Sequence, residues 1–168
     1  MEQIMNATYP GLQMMMRDSL VRESAQRYAA GQLLRDERAV AGSFYRGGIL
    51  QGRRFAIFSN RLERATAGWE GAQWAMATVK AGARYKVLDI YRRTGGMQIT
   101  LLHLPEEGWA IFKGMSTNVD DLLIDYARKR FDADAEAAPA AALEGERWRK
   151  LCIHPVGMTD FGQAFPLQ

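Results

Sequence analysis

Catalytic side chains are scarce in this chain of 168 residues: there is one cysteine, Cys152, and only two histidines, His103 and His154. A single cysteine excludes an internal disulfide, and with it the small secreted scaffold that uses disulfides in place of a core. No apolar run approaches the ~18 residues of a membrane span. The N-terminal residues lack the basic-then-apolar pattern of a secretory signal, which gives the expectation of a cytoplasmic protein. The alternative is an exported protein whose signal segment has been removed. CxxC and HxxxH spacings are absent, so no structural zinc site and no metal ligands are expected. No GxxxxGKS or GxxxxGKT run and no GxGxxG between a strand and a helix occurs, so no cofactor is expected either. The four glycines of residues 42–52 are therefore read as hairpin geometry.

What is present is ordinary globular material. The apolar fraction is 48% and the charged fraction 24%, and 168 residues suffice for one domain with a real core. Net charge is +3, unevenly spread: residues 1–115 hold 16 Lys/Arg against 10 Asp/Glu, residues 116–168 hold 6 against 9. Such an asymmetry steers an acidic partner to the first part or draws the two parts together. It is too mild for a dedicated nucleic-acid binder.

Residues 74–131 carry the clearest pattern. Trp74–Val79, Tyr85–Arg92, Met97–Leu104 and Trp109–Lys113 are rich in β-branched, aromatic and Leu residues, separated by Ala81-Gly82-Ala83, Arg93-Thr94-Gly95-Gly96 and Pro105-Glu106-Glu107-Gly108. Short connections imply antiparallel neighbours, hence a four-strand meander. Thr117-Asn118-Val119-Asp120 then fits a capping box, and Val119, Leu122, Leu123 and Tyr126 recur at helical spacing. Arg128, Lys129 and Arg130 close that helix where cations suit its dipole.

Elsewhere the signals are weaker. Pro10 to about Leu34 is rich in helix formers and predicts a long N-terminal helix, with the Met14-Met15-Met16 cluster as packing material. Ala39–Arg46 and Ile49–Ser59 predict a hairpin joined through Gly47-Gly48, with Gly52 as a bulge. Asn60 to Gly68 predicts a short helix, and Trp148–His154 a last strand. The whole is expected to be a single α+β domain spanning 1–168. It has one antiparallel sheet of about six or seven strands, a long N-terminal helix and a second helix after the meander. Residues 1–9 and 156–168 are expected to be irregular, the tail being held by its aromatics, and 132–146 partly linker. This element order resembles that of profilin-like and PsbP-like domains, which implies an architecture and no activity.

Candidate site residues follow from chemistry. His103 alternates with Met97, Ile99 and Leu101 and is expected on their face of the sheet, partly buried with a hydrogen-bond partner. Cys152 and His154, two apart on an expected strand, would face the same way as a thiol–imidazole pair. Asp89 would share a strand face with Tyr85, Val87 and Tyr91. Arg53, Arg54, Arg92 and Arg93 cluster near hairpin ends with tyrosines among them, a pattern able to grip a nucleic-acid backbone. The balance favours a non-enzymatic module that binds a protein partner, a second copy or an apolar small ligand. The rivals are a nucleic-acid-binding domain using the basic turns and a small enzyme using Cys152 with His103 or His154.

Overall fold

The computed structural model describes residues 10–19, 27–112, 114 and 118–167. A single mixed sheet contains eight strands: β1 (Gln13–Ser19), β2 (Leu33–Arg35), β3 (Val40–Ser43), β4 (Arg53–Ser59), β5 (Glu63–Arg64), β6 (Met76–Val79), β7 (Arg84–Arg93) and β8 (Gly96–Leu104). Their spatial order is β2-β7-β8-β4-β1-β3-β6-β5. Three α-helices follow the sheet, α1 (Glu106–Phe112), α2 (Asn118–Ala135) and α3 (Glu146–Leu151), with 3-10 turns at Glu70–Trp74 and Ala141–Leu143. The pair β4/β8 is parallel, running from Arg53 opposite Met97 to Phe58 opposite Leu102, and the other pairs are antiparallel.

The centre of the sheet is covered on both faces. One face carries Met15, Leu34, Phe55, Ile57, Tyr85, Val87, Ile99 and Leu101, covered by Tyr28, Val156 and Met158. The other carries Met14, Met16, Phe58, Leu102 and Leu104 against Val119, Leu123 and Ala127 of α2. A smaller cluster joins Trp74 to Trp148 and Cys152. The tail beyond Pro155 is held by the buried Val156 and Met158, while Phe161 is largely exposed and Phe165 lies under the guanidinium of Arg38.

Several expectations are corrected. The sheet is mixed, and no long N-terminal helix occurs among the described residues: residues 13–19 form β1 at the heart of the sheet. With Met14 and Met16 buried on one face and Met15 on the other, every position after Gln13 is apolar or paired and the two-residue alternation of a half-buried strand vanishes. Strands β3 and β4 exist, but β1 lies between them, so they make no hairpin. Gly52 precedes β4, and its carbonyl accepts from the Met97 amide. Residues 63–64 pair with β6 where a short helix was expected. The meander reduces to its β7–β8 hairpin, because β6 lies with β3 and β5 on the far side of the sheet. Residues 106–112 are helix, and so is 146–151, where last strands were expected. With that order gone, the basis of the resemblance to profilin-like and PsbP-like domains goes too. Helix α2 lies where the apolar spacing puts it; Thr117 of the expected capping box lies outside the described residues.

A bulge between Val87 and Asp89 reassigns the end of β7. An inserted residue turns the following side chains over. Tyr85 and Val87 face the first core, Leu88 the second, and Asp89 leaves the face it was expected to share with them. It is buried and accepts two hydrogen bonds from Arg128 of α2, both at 2.7 Å.

Candidate functional site

A broad concavity, about 930 Å³, opens where β4 and β8 end. Because these two strands are parallel, their carboxyl ends emerge side by side, an arrangement that leaves room for a ligand beyond the sheet. Ser59 closes β4, His103 and Leu104 close β8, and Pro105 to Glu107 lead directly into α1. The turn from Lys80 to Arg84 and the residues Arg35, Arg61 and Glu63 complete the walls.

His103 lines this cleft at the end of β8. It lies on the face of Ile99 and Leu101, as its alternation implies, and is only 9% exposed. The parallel register sets it beside Ser59, whose Oγ lies 2.7 Å from Nδ1. Burial, with help from the nearby Arg61 guanidinium, lowers the imidazole to about 4 against a smaller opposing effect of Glu107. The ring is therefore neutral at pH 7, and its tautomer follows from Ser59. The buried Ser59 hydroxyl accepts from the Arg61 amide at 3.0 Å, and Nδ1 is the one acceptor within reach of its proton among the described residues. A buried hydroxyl left without an acceptor is costly, so Ser59 donates to Nδ1 and the ring proton sits on Nε2. Nε2 has no hydrogen bond among the described residues, and His103 lines the cleft.

Glu107 stands at the mouth. It is exposed, forms an ion pair with Arg61, and is held below the usual carboxylate range first by a backbone hydrogen bond and then by Arg61. The cleft thus combines a neutral N–H donor with an ionised carboxylate. Arg84, half-buried, places its guanidinium 4.9 Å from the ring centroid of Trp109.

The other candidates lie elsewhere. Cys152 ends α3 and is 1% exposed beside Trp74 and Trp148, and burial pushes its thiol up to about 11. His154 follows in the tail, half-exposed, with Nδ1 2.6 Å from Asp160. A helix end replaces the expected strand, so Cys152 and His154 share no strand face. His103 belongs to the cleft and to neither. Nor do the basic turns form one ribbon. Arg54 is buried, donating to both carboxylate oxygens of Asp18 at 2.7 and 3.0 Å and to the carbonyls of Gly47 and Gly48. Arg53 is buried over the rings of Tyr28 and Phe55. Arg93 bonds Asp132 at 2.9 Å on α2, and only Arg92 is freely exposed. Among the described residues no three His, Cys, Asp or Glu side chains gather as metal ligands, and no helix is long and apolar enough to cross a membrane.

Ser59, Arg61 and Glu107 were absent from the sequence-derived candidates. Ser59 had no signal, since only the parallel register brings it to His103. Glu107 had one: proline followed by two acids is as good a helix start as a turn.

No protein-family profile and no curated protein matches this sequence. Solved structures do. Exoenzyme S from Pseudomonas aeruginosa, solved with human 14-3-3 protein beta and carba-NAD, matches at 15% identity over 73% of this chain and 64% of that one, with a TM-score of 0.49. The type III effector XopAI from Xanthomonas axonopodis pv. citri matches at 16% identity over 55% and 43%, TM-score 0.47. C3larvin toxin, an ADP-ribosyltransferase from Paenibacillus larvae, matches at 9% over 56% and 62%, TM-score 0.42. The chain thus spans between 43% and 64% of the lengths of these proteins. The expectation of a non-enzymatic binding module is corrected, because the neighbours include ADP-ribosyltransferase toxins; the basic ribbon and the Cys152–His154 pairing are corrected by the geometry above. At TM-scores of 0.42 to 0.49 the likeness assigns this chain no substrate and no residue roles.

Proposed function

We propose that this protein is an enzyme acting on a small polar substrate bound in the cleft at the ends of β4 and β8. The observation that carries the reading is His103 in the cleft wall, neutral and held through Nδ1 by Ser59 at 2.7 Å, an arrangement that leaves its Nε2 proton for a bound ligand. A neutral imidazole placed in this way donates a hydrogen bond to an oxygen on which negative charge develops, and being already oriented it needs no reorganisation. Glu107 is the matching base: an ionised carboxylate oriented by Arg61 takes the proton of an attacking water or hydroxyl. The reaction class is hydrolysis or group transfer at a polarised C=O or P=O centre. Serine nucleophilic catalysis is not invoked, because Ser59 is fully buried and serves His103.

The test is a turnover screen against esters, phosphate esters and NAD, the last included as a probe because Exoenzyme S was solved with carba-NAD. Turnover is expected to fall by about a hundredfold or more in His103→Phe, which keeps a ring and loses the oriented donor. Ser59→Ala is expected to give an intermediate loss by freeing the tautomer. Turnover that survives His103→Phe unchanged overturns the proposal.

A further inference from the structure

Arg35 and Arg84 stand directly opposite each other on the antiparallel strands β2 and β7, and both line the cleft. Residues so paired project from the same face with Cβ atoms about 5 Å apart, and like charges there repel. Neither arginine is well compensated. Arg35 has Glu37 at 3.5 Å, but that carboxylate is 55% exposed and the pair is screened by water. Arg84 rests on Trp109 and has no carboxylate partner among the described residues. Lys80, across the tight turn at Gly82, adds a third cation to the same wall, and its partner Glu63 is itself exposed.

Building on the enzymatic reading of this cleft, we propose that Arg35 and Arg84 form a clamp for a phosphate group of the substrate. A guanidinium offers paired N–H donors that match oxyanion geometry, and two facing guanidiniums favour a dianion over a carboxylate. The stacked Trp109 ring holds the Arg84 fork in place and limits the rotamer freedom lost on binding. His103 and the clamp then divide the work, one at the reacting oxygen and the other on the anchoring group.

Calorimetry with inorganic phosphate and with glycerol phosphate tests this, with acetate as the carboxylate control. Both phosphates are expected to bind saturably and acetate more weakly. A phosphate ester that binds more tightly than inorganic phosphate marks the anchoring group as part of a larger substrate, and equal binding marks the free ion. Arg84→Gln and Arg35→Gln are each expected to raise Kd by about tenfold or more, as loss of a charge-assisted contact does. Arg84→Lys should retain part of the affinity, and Lys150→Gln, on the exposed face of α3, all of it. Relief of like-charge repulsion also predicts that Arg84→Gln raises Tm in phosphate-free buffer and removes the Tm increase that phosphate gives the parent. Acetate binding as tightly as phosphate, an unchanged Kd in Arg84→Gln, or no saturable phosphate binding overturns the clamp. His103→Gln separates the two proposals: it should leave phosphate affinity intact, so a failed acid–base role does not remove the clamp, nor a failed clamp the acid–base role.

Discussion

A histidine that stays neutral well below its usual range makes a chemical commitment. In His103 burial removes the solvent that stabilises an imidazolium, and Arg61 adds repulsion. The folded value of about 4 lies below the unfolded value of 6.5. Between these values the unfolded chain holds the extra proton, so stability rises with pH across that window and is lost as pH falls through it. The size follows from the shift and is on the order of 3 kcal/mol at most. Urea denaturation of the parent between pH 4 and pH 7 is expected to show this loss on acidification. His103→Gln should flatten that part of the curve. An imidazole resonance titrating near 6.5 would remove the basis for a neutral donor. At this scale the sequence was informative about direction: alternation with Ile99 and Leu101 placed His103 on the correct face and implied a buried ring with a partner. The partner itself was hidden, since Ser59 and His103 are 44 positions apart and only strand pairing joins them.

Among elements, the misread segments share a cause. Residues 13–19 carry methionines and an arginine, which suit helices when isolated. As β1 they are covered on both faces, and tertiary burial overrides propensity. Residues 106–112 and 146–151 are short apolar-plus-charged runs that periodicity cannot divide between strand and helix. The glycine pair at 47–48 was read as a hairpin turn, yet its role is close approach. The Gly48 amide donates to the Ala138 carbonyl at 3.1 Å, and a Cβ on Gly48 would collide with the carbonyl oxygen of Ala137. The segment after α2 therefore seats on this backbone, beside the buried Arg54–Asp18 pair. Gly48→Ala should cost about 1–3 kcal/mol by overpacking against backbone that has no soft side chain to yield. It should also speed amide exchange across residues 137–145 more than in β4 or β8. Unchanged stability together with unchanged exchange would show that the segment does not rest there.

The sheet order is the property of the whole molecule that decides the site. Strands β4 and β8 become parallel neighbours although β5, β6 and β7 intervene in sequence, and that single pairing creates the cleft. The same global packing seals Cys152 beside Trp74 and Trp148, whose ring centroids are 5.4 Å apart, and holds its thiol protonated. Cys152 should thus label with a thiol reagent at pH 8 only through opening of the fold, at a rate that follows urea in parallel with unfolding. Labelling at the rate of a free thiol in native buffer would mean that α3 does not cover it. Sequence alone determined the local facts: no disulfide, no cofactor or zinc motif, the β7–β8 hairpin at Thr94-Gly95, the apolar stripe of α2 and the face taken by His103. Each rests on side chains a few positions apart, whose geometry the backbone period fixes. Tertiary structure alone decided that β1 is a central strand, that Asp89 turns to Arg128 across a bulge, that Ser59 backs His103, and that Arg61, Glu107 and the facing Arg35 and Arg84 surround one cleft. Those relations depend on which strands pair and in which direction, and pairing is set by burial summed over both faces of the whole sheet, which no local pattern records.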